Sequence, residues 1–245
     1  MSGRVGIRRI EDVKNPANLG TVVSSLSSSA QVPPRRIRGL DADQRRAQRH
    51  ESLLDAALEL FTTRGYQNTS IELLCQSASV STKSFYKLFD SREDCFLALY
   101  ERTARHYRDH IGAALSEAPD DEASATRHLL RAYVDMLAAD PRKAQVTFGI
   151  ARIITPATER ARYDNRRWAA EFIEQVWRRY GIEGDRHRIA TAVVGGMFDV
   201  IADWLVHLHT DPVDTAETHA LVNDLTDFYT AVRRGLTPVD TGTAS

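Results

Sequence analysis

The sequence predicts an all-α fold of about nine helices. Apolar residues recur every three or four positions along most of the chain, and this spacing places them on one face of a helix. Gly, Pro, Asp and Ser interrupt the pattern at intervals, as they do at helix ends. The sequence has no alternating strand pattern and no internal repeat. At 245 residues, the chain is long enough for one or two domains with a substantial core.

The first helix is predicted over residues 43–63, where a wide apolar stripe ends at a glycine. The stripe consists of Leu53, Leu54, Ala57, Leu58, Leu60 and Phe61. Gly65 suits the left-handed position that follows many helices. A short second helix is expected to begin at Thr69, because the Thr69 hydroxyl can cap it and Glu72 can complete a capping box.

The third helix is predicted over residues 81–89, after a tight turn, with Ser81 as its N-cap. Its core face would carry Phe85, Leu88 and Phe89. Its outer face would carry Thr82, Lys83, Tyr86 and Lys87. Two short helices joined by a turn of about three or four residues form a helix-turn-helix, whose second helix lies in the major groove of DNA. The sequence therefore predicts a sequence-specific DNA-binding unit.

Six further helices are predicted downstream. Ser91 and Asp94 form a second capping-box pattern, which opens a long helix reaching about residue 116 and joining two domains. The remaining five are expected near residues 123–139, 142–154, 158–180, 185–209 and 215–235. The chain is thereby divided into a disordered tail at 1–40, a helix-turn-helix domain at 41–100, a helical domain at 101–236 and a C-terminal tail at 237–245.

Charge is balanced overall but unevenly distributed. The 32 basic and 33 acidic residues give a net charge of −1, so affinity for DNA must come from a local arrangement. Six arginines lie close together before and within the start of the first helix: Arg35, Arg36, Arg38, Arg45, Arg46 and Arg49. Such a basic arm can reach phosphates or the minor groove, although a solvated linker explains Arg35 and Arg36 equally well.

The segment LLDAALELFTTRGYQNTSIELLCQSASVSTKSFYKLFDSRED resembles the N-terminal domain of the tetracycline-repressor (TetR) family of bacterial transcriptional regulators. The resemblance covers about residues 45–100 and includes the AALELF run, the RGY break, the TSI start and the SFYKLF helix. Two positions depart from the family pattern. Ser79 stands where a turn glycine is common, and a non-glycine residue rarely adopts a positive φ. Lys83 stands where glycine is common early in the recognition helix.

The chemistry of the helix-turn-helix residues, supported by the resemblance, suggests individual roles. Thr82 and Lys83 are expected to contact base edges, since a lysine can donate to the acceptors of guanine. Contacts to phosphate, which set register rather than sequence, are expected from Thr69, Ser70, Ser84, Tyr86, Lys87 and Arg92. Further phosphate contacts are expected from Arg45, Arg46 and Arg49. The alternative is that Lys83 and Lys87 belong to an ordinary solvated helix face.

The resemblance also implies that the helical domain binds a small apolar effector and forms a homodimer through its last two helices. The protein would then be a repressor released from a palindromic operator. Candidate pocket residues are Tyr107, Tyr133, Phe148, Trp168, Phe172, Trp177 and Phe198, for which plain core packing is the alternative. The dimer interface is expected around Gly195, Gly196, Ile201 and Leu205, because adjacent helical glycines permit close approach. A kinked core helix is the alternative there.

Other classes have less support. The sequence contains no phosphate-cradling glycine loop, G-x-S-x-G elbow or H-E-x-x-H motif, so neither an enzyme nor a cofactor is predicted. The pairs His106/His110 and His207/His209 leave a metal-responsive regulator open, and a helical adaptor with a degenerate DNA domain is a further alternative.

The cysteine usage and hydropathy of the chain point to a cytoplasmic location. Cys75 and Cys95 are expected to be buried, reduced thiols. No signal-peptide pattern and no stretch long enough to span a bilayer is expected, and therefore no membrane partner.

Overall fold

A computed structural model describes residues 41–148, 155–208 and 213–236 of the chain. Within these ranges the chain forms nine α-helices and no strand, which confirms the predicted fold class. The helices are α1 (Ala42–Thr63), α2 (Ile71–Ser77), α3 (Thr82–Phe85), α4 (Arg92–Ser116), α5 (Glu122–Ala139), α6 (Pro141–Phe148), α7 (Pro156–Arg179), α8 (His187–His207) and α9 (Thr215–Arg234). The predicted tails at 1–40 and 237–245, with Arg35, Arg36 and Arg38, lie outside the described residues, as does the predicted end of the sixth helix.

The first four helices share one hydrophobic core. The stripe predicted on α1 is buried, and Leu74 of α2, Phe85 of α3 and Leu99 of α4 pack against it. Because α3 is one turn long, it depends on these contacts rather than on its own backbone hydrogen bonds. The core therefore fixes the orientation of α3.

The α-helical part of the third segment is shorter than predicted. It ends at Phe85, and turns continue the chain to Phe89. The amides of Leu88 and Phe89 both donate to the carbonyl of Phe85, over 2.8 and 2.9 Å. This sharing tightens the last turn in the manner of a 3₁₀-type helix end. Phe85 and Phe89 are buried as predicted, so the shortened helix still directs the same face to the core.

Two of the three predicted helix caps in this region are confirmed. The hydroxyls of Ser81 and Ser91 accept from the amides of Ser84 and Asp94, over 3.2 and 3.0 Å. The prediction for α2 was wrong, since Ser70 and not Thr69 is its N-cap, accepting from Leu73. The Thr69 hydroxyl instead donates to the carbonyls of α1's last turn and the following loop, at Leu60 and Gly65. The Leu60 carbonyl also accepts from the amide of Arg64 over 2.9 Å, whereas the Thr69 hydroxyl is the donor to the Gly65 carbonyl.

The remaining helices form a bundle with three further apolar clusters. One centres on Leu137, Ile201 and Leu225, and joins α5, α8 and α9. Another joins α7, α8 and α9, and the last joins α4, α5 and α7. An ion pair between Arg233 and Glu122, 2.8 Å from Nη2 to Oε2, links the end of α9 to the start of α5.

Contacts from α6 and α7 connect this bundle to the helix-turn-helix unit. Val146 of α6 is buried in the core of α1 to α4. The Arg142 guanidinium donates to Glu59 of α1 over 2.8 Å. The hydroxyl of Thr155, the N-cap of α7, donates to Glu93 in the first turn of α4. A shift of α6, of α7 or of the rest of α4 would therefore displace α1 and the start of α4 directly.

The apolar character of α8 exceeds what the sequence suggested. By length and composition alone it could cross a membrane, with a mean hydropathy of 1.7 over 18 residues, so the expectation of no such stretch was wrong. Only 28% of that window is buried inside the structure, and Asp199 and Asp203 are exposed on it. Two carboxylates on one helix are costly in lipid. A single such helix is weak evidence for a membrane protein.

Gly195 and Gly196 are neighbours in α8 with opposite surroundings. A Cβ on Gly196 would lie 2.5 Å from Cζ of Phe228, whereas one on Gly195 would meet nothing within 4 Å. Gly196→Ala is expected to lower the free energy of unfolding by up to about 2 kcal/mol, because moving Phe228 costs about 1–3 kcal/mol and the higher helix propensity of alanine offsets about 1 kcal/mol of it. Gly195→Ala should raise it by up to about 1 kcal/mol through helix propensity. Urea unfolding of both variants measures the difference, and effects of the same sign would contradict this packing.

Candidate DNA interface and ligand cavity

The outer face of α3 and its following turn presents polar side chains to solvent. Thr82, Lys83 and Lys87 are exposed, and Tyr86 is 54% exposed. Ser84 is half-buried, and its hydroxyl lies 3.0 Å from that of Ser81. Phe85 lies directly beneath this surface with no exposed area. The structure thus brings together five of the predicted DNA-contacting side chains on one short, anchored segment.

The start of α1 lies beside the end of this segment. The rings of His50 and Phe89 are 5.1 Å apart between centroids. Arg46 is one helical turn before His50, so it occupies the same side of α1. Arg45 and Arg46 are exposed and Arg49 is half-buried. These arginines can therefore extend the basic surface of α3 along one side of the unit.

Two predicted phosphate contacts have internal roles instead. Thr69 is completely buried, so its side chain cannot contact DNA, and this prediction was wrong. Arg92 Nη1 donates to the Thr69 carbonyl over 2.6 Å, and its guanidinium lies 4.1 Å from the centroid of the Tyr66 ring. Arg92 therefore fastens the start of α4 to the loop before α2. Ser70 remains exposed, but its hydroxyl caps α2.

In the turn between α2 and α3, a residue other than glycine adopts the left-handed backbone conformation. Ser79 has a φ of 53° and is the non-glycine residue with positive φ among those described. The amide of Val80 donates to the carbonyl of Cys75 over 2.9 Å across this turn. The turn geometry is thus formed in spite of the serine.

Replacing Ser79 by glycine is expected to stabilise the protein by about 0.5–1 kcal/mol. The left-handed conformation costs an L-residue about 1–2 kcal/mol, and the greater chain entropy of glycine offsets part of that gain. Ser52, in the interior of α1, serves as a matched control, because Ser52→Gly should destabilise the protein. Thermal unfolding followed by circular dichroism compares the two, and a destabilising Ser79→Gly would contradict the φ value of this turn.

A cavity of about 110 Å³ lies among α4, α5, α7, α8 and α9. Four of the seven predicted aromatic residues line it: Tyr133, Trp168, Phe172 and Phe198. The others do not, because Tyr107 and Phe148 stack on each other in the adjacent cluster and Trp177 is packed in the core near Tyr229. The sequence analysis missed aliphatic lining residues such as Ile111, Leu129, Val194 and Met197, and also Tyr229. Their helical spacing marked them as core, without showing where the core is incompletely filled.

Three of the four predicted dimer residues face the interior of their own protomer. Ile201 and Leu205 are buried in the cluster with Leu225, and Gly196 packs against Phe228. The prediction of an interface through these side chains was wrong, because α9 already covers that face of α8. Gly195 alone of the four lies on the outward side.

The cysteines and histidines provide no evident site. Cys75 and Cys95 are buried free thiols, as expected, and burial raises the pKa of Cys95 to about 12. Among the residues that the structure describes, no group of three or more His, Cys, Asp or Glu side chains could hold a metal ion. His209 lies outside those residues.

Comparison with known proteins agrees with this geometry. The family model described as bacterial regulatory proteins, tetR family, matches residues 53–99, which include the core of α1, the turn and α3. Residues 53–99 therefore match the DNA-binding part of the tetR family. The match and the curated relatives support a DNA-binding transcriptional regulator with a helix-turn-helix, and both belong to the class of regulators rather than enzymes.

Two curated relatives of this chain are transcriptional regulators. The HTH-type transcriptional activator FasR of Mycolicibacterium smegmatis is 26% identical over 173 residues, which are 70% of this chain and 77% of FasR. The transcriptional regulator AcuR of Cereibacter sphaeroides is 32% identical over 87 residues, 36% of this chain and 38% of AcuR.

Solved structures share the fold of this chain at low sequence identity. FadR from Bacillus subtilis, in complex with stearoyl-CoA, has a TM-score of 0.61 and 18% identity, covering 73% of this chain and 96% of FadR. AibR, in complex with isovaleryl coenzyme A and operator DNA, has a TM-score of 0.58 and 13% identity, covering 73% and 98%. At these identities the likeness concerns the fold.

Proposed function

We propose that this protein is a homodimeric, cytoplasmic repressor that binds a palindromic operator through α3 and is released by a small ligand of the helical domain. Residues 41–100 would form the DNA-binding part, and residues 101–236 the part that binds the ligand and the second copy. The observation that carries the proposal is the exposed set Thr82, Lys83, Tyr86 and Lys87 held over the buried Phe85.

The side-chain chemistry of this surface divides into base reading and backbone contact. Lys83 and Thr82 begin α3, and the N-terminal residues of a recognition helix are those that meet base edges. Tyr86, Lys87 and Ser84 suit phosphate oxygens, as do Arg45, Arg46 and Arg49 at the start of α1. Two copies related by a two-fold axis would place their α3 helices about 34–36 Å apart, one turn of DNA.

The outward face of α8 supports a dimer formed by a surface that keeps Gly195 but not the other three residues first predicted. Ala192, Gly195, Ala202 and Val206 follow helical spacing there, with the exposed Asp199 among them, and Val206 is 65% exposed. Small residues permit a second helix to approach closely. A second copy on this face would cover the apolar area that leaves α8 only 28% buried over its most apolar window.

Val206→Glu is expected to weaken self-association by on the order of 4 kcal/mol, about a thousand-fold. The two-fold axis places two buried charges in each interface, next to Asp199 and Asp203 of the same sign, and each costs several kcal/mol without a partner. Tyr163 of α7 is similarly exposed, at 64%, so Tyr163→Glu serves as the control and should leave association unchanged. Sedimentation velocity measures both variants, and a Val206→Glu protein that stays dimeric would exclude this face of α8.

The cavity supports a ligand with an apolar group. Its walls are aliphatic and aromatic side chains from five helices, with Thr126 and two tyrosines as the polar residues. The structural neighbours FadR and AibR are complexes with acyl thioesters of coenzyme A. We propose the same ligand class here. Ile111 of α4 lines the cavity, and α4 is fastened to the DNA-binding part by Arg92, so a ligand that moves α4 would change the separation of the two α3 helices.

For such a ligand to release DNA, it must bind the conformation that cannot fit the operator more tightly than the one that can. Repression is the usual mode implied by the resemblance, whereas the relative FasR is an activator. A reporter gene under the chain's own upstream region distinguishes the two modes. Loss of the protein should raise expression from a repressed promoter and lower it from an activated one.

Selection of bound duplexes from a random library tests the DNA-binding part of this proposal. Wild-type protein should enrich a two-fold-symmetric sequence whose half-sites are about 10–10.5 base pairs apart, or a multiple of that spacing. Enrichment of a single, asymmetric half-site would contradict the dimer. No enrichment over the starting library would contradict sequence-specific binding and favour the helical adaptor.

A further inference from the structure

A second, more polar cleft adjoins the apolar cavity. It lies between α4 and α7, and its lining includes Gly112, Ser116, Gln175 and Arg179. Its volume is about 380 Å³, more than three times the 110 Å³ of the cavity. Trp168 and Phe172 line both spaces, with their rings stacked 5.5 Å apart. The two spaces therefore meet at one aromatic wall.

A fixed cation stands at one end of this cleft. Arg179 donates to the carbonyls of Leu115 and Ala118 over 2.7 and 2.9 Å, which holds its guanidinium at the C-terminal end of α4. The Arg108 guanidinium lies 5.8 Å from the centroid of the Trp168 ring, but it does not line the cleft and is paired with Glu101 over 2.6 Å. The carboxylate nearest Arg179, that of Asp120, is 4.0 Å away and fully exposed to water, which screens it.

We infer that the cleft binds the anionic, polar part of the ligand while the cavity receives a short apolar end. This inference rests on the proposed function, and it specifies which acyl thioesters the site accepts. Gln175 and Arg179 offer donors to phosphate or carbonyl oxygens, whereas the cavity offers almost none. The aromatic wall lies where the apolar and polar parts of such a molecule join.

The volume of the cavity limits the apolar end. An apolar protein cavity of about 150 Å³ holds a molecule of the size of benzene. At about 110 Å³, the present cavity fits an acyl group of roughly four to six carbons and is too small for a long fatty chain. The site thus selects short acyl groups on a large anionic carrier.

Gly112 provides a direct way to block the cleft without disturbing the fold. It lies within α4 and lines the cleft, and a Cβ there would meet nothing within 4 Å. Gly112→Leu therefore places a branched side chain into the cleft and also favours the helix. The adjacent Ala113 is exposed but does not line the cleft, so Ala113→Leu is the matched control.

Calorimetric titration of the full-length protein with butyryl-CoA, stearoyl-CoA and free butyrate tests the inference. Butyryl-CoA should bind at least ten-fold more tightly than either of the other two. Gly112→Leu should weaken butyryl-CoA binding at least ten-fold, Ala113→Leu should not, and both variants should keep wild-type affinity for operator DNA without ligand.

Three results would overturn it. Unchanged butyryl-CoA binding in Gly112→Leu would show that the cleft does not bind the polar part of the ligand. Tighter binding of stearoyl-CoA than of butyryl-CoA would contradict the size limit of the cavity. If no thioester binds although the operator does, the ligand assignment fails while DNA-binding regulation stands. Failure of the operator to bind at all would instead count against the proposed function itself.

Discussion

Phe85→Ala is expected to destabilise the helix-turn-helix unit by about 3–5 kcal/mol, the usual cost of removing a buried phenylalanine. Phe85 has no exposed area, and its ring lies 5.5 Å from that of Phe89 between centroids. Because α3 is a single turn, the loss of this anchor should release the whole segment. Urea unfolding gives the stability, and hydrogen exchange of the α3 amides reports its local order.

Tyr86 offers the matched control, since it is the next residue and is 54% exposed. Tyr86→Ala should change stability by less than about 0.5 kcal/mol, as surface substitutions usually do. It should nevertheless weaken binding to all DNA sequences by similar factors, because its proposed partner is a phosphate. Equal loss of stability in Phe85→Ala and Tyr86→Ala would contradict the orientation of α3.

Lys83→Ala is expected to remove sequence discrimination rather than affinity alone. A lysine that contacts guanine in the major groove contributes about 1–3 kcal/mol of discrimination. The proposed dimer would lose two such contacts for each operator, so the ratio of specific to scrambled-site affinity should fall by about 2–6 kcal/mol, roughly 30-fold to 10⁴-fold. Competition binding with operator and scrambled duplexes measures this ratio.

Lys87→Ala is the comparison for Lys83→Ala, as both are exposed lysines of the same segment. Lys87 is assigned to phosphate, so its loss should weaken binding to the operator and to the scrambled duplex by similar factors. A wild-type specificity ratio in Lys83→Ala, or a selective loss in Lys87→Ala, would show that the two roles are assigned wrongly.

The sequence predicted the helix-turn-helix well because its signals are local. The caps at Ser81 and Ser91 and the stripe of α1 depend on residues within a few positions of one another. Local signals could not decide whether Thr69 or Ser70 caps α2, because either hydroxyl can cap a helix. The packing decides between them: Thr69 is completely buried and its hydroxyl donates to the Gly65 carbonyl over 2.9 Å, whereas Ser70 is exposed and caps α2.

The helical domain was less predictable because its sites depend on which helices meet. The spacing in α8 showed that Ile201 and Leu205 share an apolar face, but not that α9 of the same chain covers it. Likewise, Trp168 and Trp177 have the same sequence signature, and only the packing places one at a cavity and the other in the core. The departure at Ser79 had no structural consequence for the turn, since the serine adopts the left-handed conformation itself.

The central claim is that the outer face of α3, with the start of α1, binds duplex DNA. Fluorescence anisotropy of the wild-type protein on its selected operator, at about 50 and 200 mM salt, tests it most directly. Four proposed cationic phosphate contacts from each protomer of a dimer predict an affinity loss of about 10⁴-fold between these salt concentrations, and a clearly smaller loss for the Lys87→Ala variant. Binding that does not respond to salt, or the same salt dependence in both proteins, would contradict the account.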